Sequence, residues 1–166
     1  MAVYYYLAVA CSDQAAADAI SAYFQGVSLV IPPDLSVNCD AFTIQDWVGA
    51  WWSTVRPYGA SINAFDRDGK PEPNLVTPEQ RSEIGRALYD LLRTSPAFSY
   101  ARYGAEALDD FFDVYSTYNR ILRDPKLIVN GWEGLVISES LWEQTGFAIS
   151  YEPFRPGYFW APYRRE

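Results

Sequence analysis

Histidine is absent from this 166-residue chain. With it go Ser-His-Asp and Cys-His nucleophilic arrangements, imidazole metal sites and the usual general base near neutral pH. Cysteine is scarce: Cys11 and Cys39 are too few for a disulfide framework, and their spacing is not that of a zinc or thioredoxin motif. They are expected as buried free thiols. No apolar run approaches the roughly 18–20 residues needed to cross a bilayer, and GxGxxG, GxxxxGK[ST] and GxSxG motifs are all missing, so nucleotide-binding loops and hydrolase elbows have no support. No internal repeat, low-complexity tract or linker divides the chain. The N-terminal MAVYYYLAVAC lacks the positive flank of an export signal, so a buried first strand and a cytoplasmic location are expected.

What the chain does contain is apolar and acidic. Hydrophobic residues make up 49% and charged residues 20%, the balance of a folded globular protein. The length suits one domain, residues 1–166. The net charge of −8 disfavours nucleic acid and anionic membranes as partners, because phosphate binding needs a patch of Lys and Arg. A basic protein partner fits better.

Read in order, residues 3–11 form an uncharged, β-branched and aromatic strand, followed by a helix from Asp13 to Gln25 with Ser12 as its cap and Gly26 at its end. Val27–Ile31 is a short strand stopped by Pro32-Pro33, with Leu35–Cys39 continuing it after a kink. In residues 43–55, Ile44, Trp47, Val48, Trp51, Trp52 and Val55 fall at helical spacings behind a Thr43/Asp46 capping pair, which predicts a helix. Pro57–Phe65 is expected as a strand running into a turn at residues 66–69. A calcium loop there fails, since its first and twelfth positions are Ala64 and Leu75. Thr77-Pro78-Glu79-Gln80 is a capping box ahead of the stripe Ile84, Ala87, Leu88, Leu91 and Leu92, a secure helix.

Phe98–Gly104 reads as a central strand. The next helix carries Leu108, Phe111, Phe112, Tyr115, Tyr118 and Leu122 on one face and Glu106, Asp109, Asp110 and Asp113 on the other. That acidic stripe is either a solvated face or a docking surface for a basic protein. As a metal site it lacks a second element to complete a coordination shell. Asn130-Gly131 is a turn, Leu135–Ile137 a short buried strand, and residues 139–145 a brief helix capped by Ser138 and closed by Gly146. The last twenty residues, FAISYEPFRPGYFWAPYRRE, combine aromatics with prolines. They read as a final strand from Phe147 followed by a wrapping arm, with turns at Glu152-Pro153 and Pro156-Gly157. The fold expected is α+β, a mixed or mainly antiparallel sheet of about four to six strands. Helices pack on one face, and the C-terminal aromatic arm serves as a lid.

Without histidine, enzymatic chemistry would fall to a carboxylate pair flanked by aromatic platforms, as in a glycoside hydrolase. Glu133, Glu139, Glu143 and Glu152 are available for it, with nothing in their spacing to single out two. A binding role needs only a surface, and an adaptor or structural domain is the plainer version of it. Candidate contact residues are Glu106, Asp109, Asp110 and Asp113 on the acidic stripe, and Arg155, Tyr158, Tyr163 and Arg164 in the arm. Tyr and Arg are enriched at binding hot spots. No catalytic, metal or cofactor residue is assigned.

The combination of GLVISESLWEQTG (134–146) and EPFRPGYFWAPYRRE (152–166), after a strand, helix, strand opening, resembles immunity proteins of bacterial polymorphic toxin systems, in particular the family called immunity protein fifty-two. The resemblance covers about the last fifth of the chain. It implies a small α+β, non-enzymatic inhibitor of one cognate toxin, a restriction-endonuclease-like nuclease whose active site or nucleic-acid cleft it covers. An acidic inhibitor would reach such a basic groove quickly by electrostatic steering.

Overall fold

The first strand organises everything else. β1 (Tyr5–Cys11) lies between two antiparallel neighbours, with β4 (Trp51–Pro57) on one side and β5 (Tyr100–Ala105) on the other. The structure, a computed structural model, describes residues 2–46, 49–63, 65, 68–71, 73–105, 133–144 and 151–162. Its remaining elements are α1 (Gln14–Phe24), β2 (Ser28–Ile31), β3 (Leu35–Gln45), α2 (Pro78–Leu92), β6 (Val136–Ser138), α3 (Glu139–Gln144), β7 (Glu152–Arg155) and β8 (Tyr158–Trp160). The strands form one eight-stranded sheet in the order β2-β3-β4-β1-β5-β6-β8-β7, and every neighbouring pair is antiparallel. The α+β class is as expected, and the sheet is larger than the sequence suggested.

Alternation along β1 sorts the core into two layers. Leu7, Val9 and Cys11 join Ile20 and Phe24 of α1 and Ile84, Leu88 and Leu92 of α2. Ala8 and Ala10 point the other way, to Trp52, Tyr100 and Ile137, with Leu141 and Trp142 of α3 packed against them. The two longer helices therefore share a face, as expected, while the short α3 lies on the opposite one. No helix among the described residues is long and apolar enough to cross a membrane.

Four expectations are corrected. The cap of α1 is Asp13, whose Oδ1 accepts from the Ala16 N–H at 2.8 Å, not Ser12. That bond, with a smaller contribution from the Ser12 hydroxyl, holds the Asp13 carboxyl below its usual range. Leu35–Cys39 does not prolong β2: Pro32, Pro33 and Asp34 reverse the chain, and Ile31 faces Leu35 across a hairpin. The stretch expected as a helix over 43–55 is instead the end of β3 and most of β4, with Ile44 opposite Trp52 and Gln45 opposite Trp51. Asp46 caps the turn between them, accepting from the Ala50 N–H at 2.8 Å and from Trp52 Nε1 at 3.0 Å, and Gly49 adopts φ +89°. Trp47 and Val48 lie outside the described residues. Pro57–Phe65 is not a strand either. Pro57 ends β4, and among the described residues only single bridges follow, Val3 to Ile62 and Phe65 to Pro71, the latter flanking the turn expected at residues 66–69, of which Asp68 and Gly69 are described.

The C-terminal arm is also not a lid. β7 and β8 form a hairpin about Pro156-Gly157, and β8 continues the sheet by pairing with β6. Pro153, expected in a turn, sits in β7, where the outermost strand tolerates its missing N–H. Tyr158 and Trp160 pack on the α1/α2 side and Phe159 on the other, so the aromatics serve both core layers. The helix expected from Glu106, the Asn130-Gly131 turn and the strand start at Phe147 lie outside the described residues.

Candidate functional site

α2 is started by chemistry legible in its first four residues. Thr77 Oγ1 accepts from the Gln80 N–H at 3.2 Å, Gln80 Oε1 accepts from the Thr77 N–H at 3.0 Å, and Pro78 occupies the first turn. One flank of the helix packs into the core. The next carries Arg81, Ser82, Gly85, Arg86, Tyr89 and Asp90, and forms one wall of a trough of about 860 Å3. Tyr5 of β1 and Tyr103, Gly104 and Ala105 at the end of β5 line it opposite, with Arg102, Trp160 and Pro162 contributing to the rim.

Arg81 is buried, and its charge is compensated by oxygens: Nε donates to Ala60 O at 2.7 Å, and Nη2 to Asn74 Oδ1 at 2.8 Å and Val76 O at 3.2 Å. Its guanidinium also lies 5.2 Å from the Tyr5 ring centroid. The floor of the trough is fixed by Tyr89, whose hydroxyl donates to Gly134 O at 2.6 Å and accepts from the Tyr103 N–H at 2.9 Å. Trp160 meets the Tyr89 ring edge-on at 5.7 Å. Gly85 lets the Tyr103 ring lie directly on the helix, since a Cβ there would stand 2.7 Å from Tyr103 Cδ1.

Gly85→Ala is therefore expected to destabilise the protein by about 1–2 kcal/mol, because overpacking at a buried ring outweighs the roughly 1 kcal/mol that alanine gains in helix propensity. Urea denaturation reads the sign. A stabilised Ala variant would mean that Tyr103 does not pack on α2.

The described lining of the trough is rich in guanidinium and aromatic groups. Among its described lining residues the only carboxylate is Asp90, set against the guanidiniums of Arg81, Arg86 and Arg102. Glu133, Glu139, Glu143 and Glu152 are exposed and outside that lining, so among the described residues the trough brings together no carboxylate pair of the kind glycoside hydrolysis requires. Cys11 and Cys39 are free and buried, with thiols pushed up to about 12 by desolvation, which leaves little thiolate for nucleophilic attack. Among the described residues no cluster of Cys, Asp and Glu is arranged to hold a metal ion.

The sequence-derived contact residues fare unevenly. Arg155 and Tyr158 come together at the C-terminus of α2, and both turn their polar atoms into the protein. Arg155 donates to the carbonyls of Leu92, Arg93, Ser95 and Pro96, while Tyr158 Oη donates to Phe98 O at 2.8 Å and accepts from the Phe98 N–H at 2.9 Å. Glu106, Asp109, Asp110, Asp113, Tyr163 and Arg164 lie outside the described residues. The trough itself was not anticipated. One signal was available in Gly85, a glycine inside an otherwise secure helix, which usually marks a packing or functional demand.

Comparison of the chain with models of protein families, with curated proteins and with solved structures gives no match. The functional reading therefore stands on the chain's own residues.

Proposed function

We propose that the protein is a non-enzymatic, cytoplasmic binding protein that neutralises a cognate bacterial toxin by direct contact, the toxin being a basic protein such as a nuclease. The observation that carries this reading is where the charges lie. Three of the six described arginines are engaged with the protein itself: Arg81 is buried among carbonyls, Arg155 closes the end of α2, and Arg93 lies over Phe154 and Trp160. The exposed cations among the described residues are Lys70 and Arg86, whereas the exposed carboxylates include Asp13, Asp18, Asp34, Glu79, Glu139 and Glu152. The exposed charge among the described residues is thus mainly acidic, and with a net charge of −8 on the chain this favours fast encounter with a basic partner and disfavours nucleic acid.

The decisive experiment is capture of partners by the tagged full chain from its native host, followed by co-expression of the captured protein with and without the chain. The reading requires a basic protein whose toxicity is relieved by the chain. An acidic or harmless partner would overturn it. With the partner in hand, reversing Asp109, Asp110 and Asp113 to Lys is expected to slow association about tenfold at low ionic strength, with the difference shrinking as salt screens it. An on-rate unchanged by the triple reversal would remove the acidic stripe from the contact surface.

A further inference from the structure

We propose that the trough between α2 and the end of β5 is a binding site for a small organic anion with a flat aromatic body, such as an aryl carboxylate or aryl sulfonate. Its volume, about 860 Å3, lies within the ~300–1,000 Å3 typical of small-molecule sites. Its walls supply rings: Tyr5 and Tyr103 stand tilted with centroids 6.2 Å apart, and Trp160 meets Tyr89 at the far end. Such surfaces take a planar apolar ligand by stacking and edge contacts.

The charge of the site selects the ligand's sign. Arg86 leaves about half its side-chain surface exposed (48%), and its Nη1 pairs with Glu83. No other acceptor among the described residues uses its remaining N–H donors. Arg81 and Arg102 add positive charge to the same lining, against one carboxylate among its described residues, Asp90. The Tyr5 hydroxyl likewise has no hydrogen-bond partner among the described residues. On a chain of net charge −8, an anion is repelled almost everywhere, so a grouping of guanidiniums beside aromatic rings is where it is held. The assignment is independent of toxin neutralisation, which uses the acidic exterior. Either can fail without the other.

The test uses the intact chain and two fluorescent probes of similar shape, 8-anilinonaphthalene-1-sulfonate and its uncharged counterpart N-phenyl-1-naphthylamine. The sulfonate is expected to bind saturably at one site. Arg86→Glu, on an exposed position, is expected to weaken the sulfonate about tenfold and to leave the neutral probe unchanged, as loss of a charge-assisted contact requires. Ser82→Trp, which plugs the trough from an exposed position, is expected to weaken both. Thermal melts of the variants establish that the fold is retained. Non-saturating binding at many sites, or a change below about threefold for the sulfonate in Arg86→Glu, overturns the assignment.

Discussion

Replacing Trp52 by alanine is expected to cost about 4 kcal/mol of folding stability, the middle of the range for a large aromatic removed from a core. Trp52 is only 1% exposed and meets Tyr100 edge-on at 5.4 Å, with Ala8 and Ala10 of β1 in the same layer. Truncation leaves a cavity among Ala8, Ala10, Tyr100 and Ile137, side chains anchored on paired strands that cannot close in without disturbing the sheet. It also strips Asp46 of the Nε1 donor that helps hold the β3–β4 turn. Trp52→Phe keeps most of the volume and loses the donor, so about 1–2 kcal/mol is expected for it. Both values come from urea denaturation of the full chain. A loss below about 1 kcal/mol in the alanine variant would mean that Trp52 does not sit at the centre of this layer.

Trp52 also shows where sequence reasoning succeeded and where it stopped. α2 was legible because its signals are local: a capping box that its hydrogen bonds reproduce, a first-turn proline, and an apolar stripe of which Ile84, Leu88 and Leu92 are buried. β1 and β5 were legible because they are uninterrupted and buried. The Ile44–Val55 stretch was not, because its apolar residues satisfy two periods at once. A hairpin that puts Ile44 opposite Trp52 reproduces the spacings of a helical stripe by coincidence, and the deciding features are Asp46 and Gly49, which build a turn rather than a cap. That misreading hid β4 and the second half of β3, and the arm hid β7 and β8.

The trough was illegible for a different reason. Tyr5 and Tyr103 sit on adjacent strands, Arg86 on a helix and Trp160 in a terminal hairpin, so they meet only through the strand order β1-β5-β6-β8. No spacing in the chain encodes that order. The arm's aromatic content was read correctly as material in search of a surface. Its turn at Pro156-Gly157, however, was the midpoint of a hairpin, and the surface it covers is the sheet it extends.

One side chain ties that hairpin to the end of α2, and Arg155→Ala is expected to lower stability by about 3 kcal/mol, read as a drop of roughly 10 °C in thermal unfolding. A helix C-terminus leaves carbonyls without intrahelical partners. Here Arg155 reaches back to the last helical carbonyl and to the turn after it, with Nη1 3.0 Å from Leu92 O and 2.7 Å from Ser95 O, and Nη2 3.2 Å from Pro96 O. The guanidinium plane also rests 4.2 Å from the Tyr158 centroid and 5.1 Å from that of Phe98. Arg93 answers from the helix side, donating to Phe154 O and lying 4.3 Å from the Phe154 centroid. Lysine carries the charge without the planar fork, so Arg155→Lys is expected to recover less than half of the loss. Sequence had marked Arg155 as a contact residue, and the two roles separate cleanly. A variant that keeps its full melting temperature but loses the captured partner would assign Arg155 to the interface. A variant that melts early while its folded fraction still binds the partner would assign it to the junction between α2 and the hairpin.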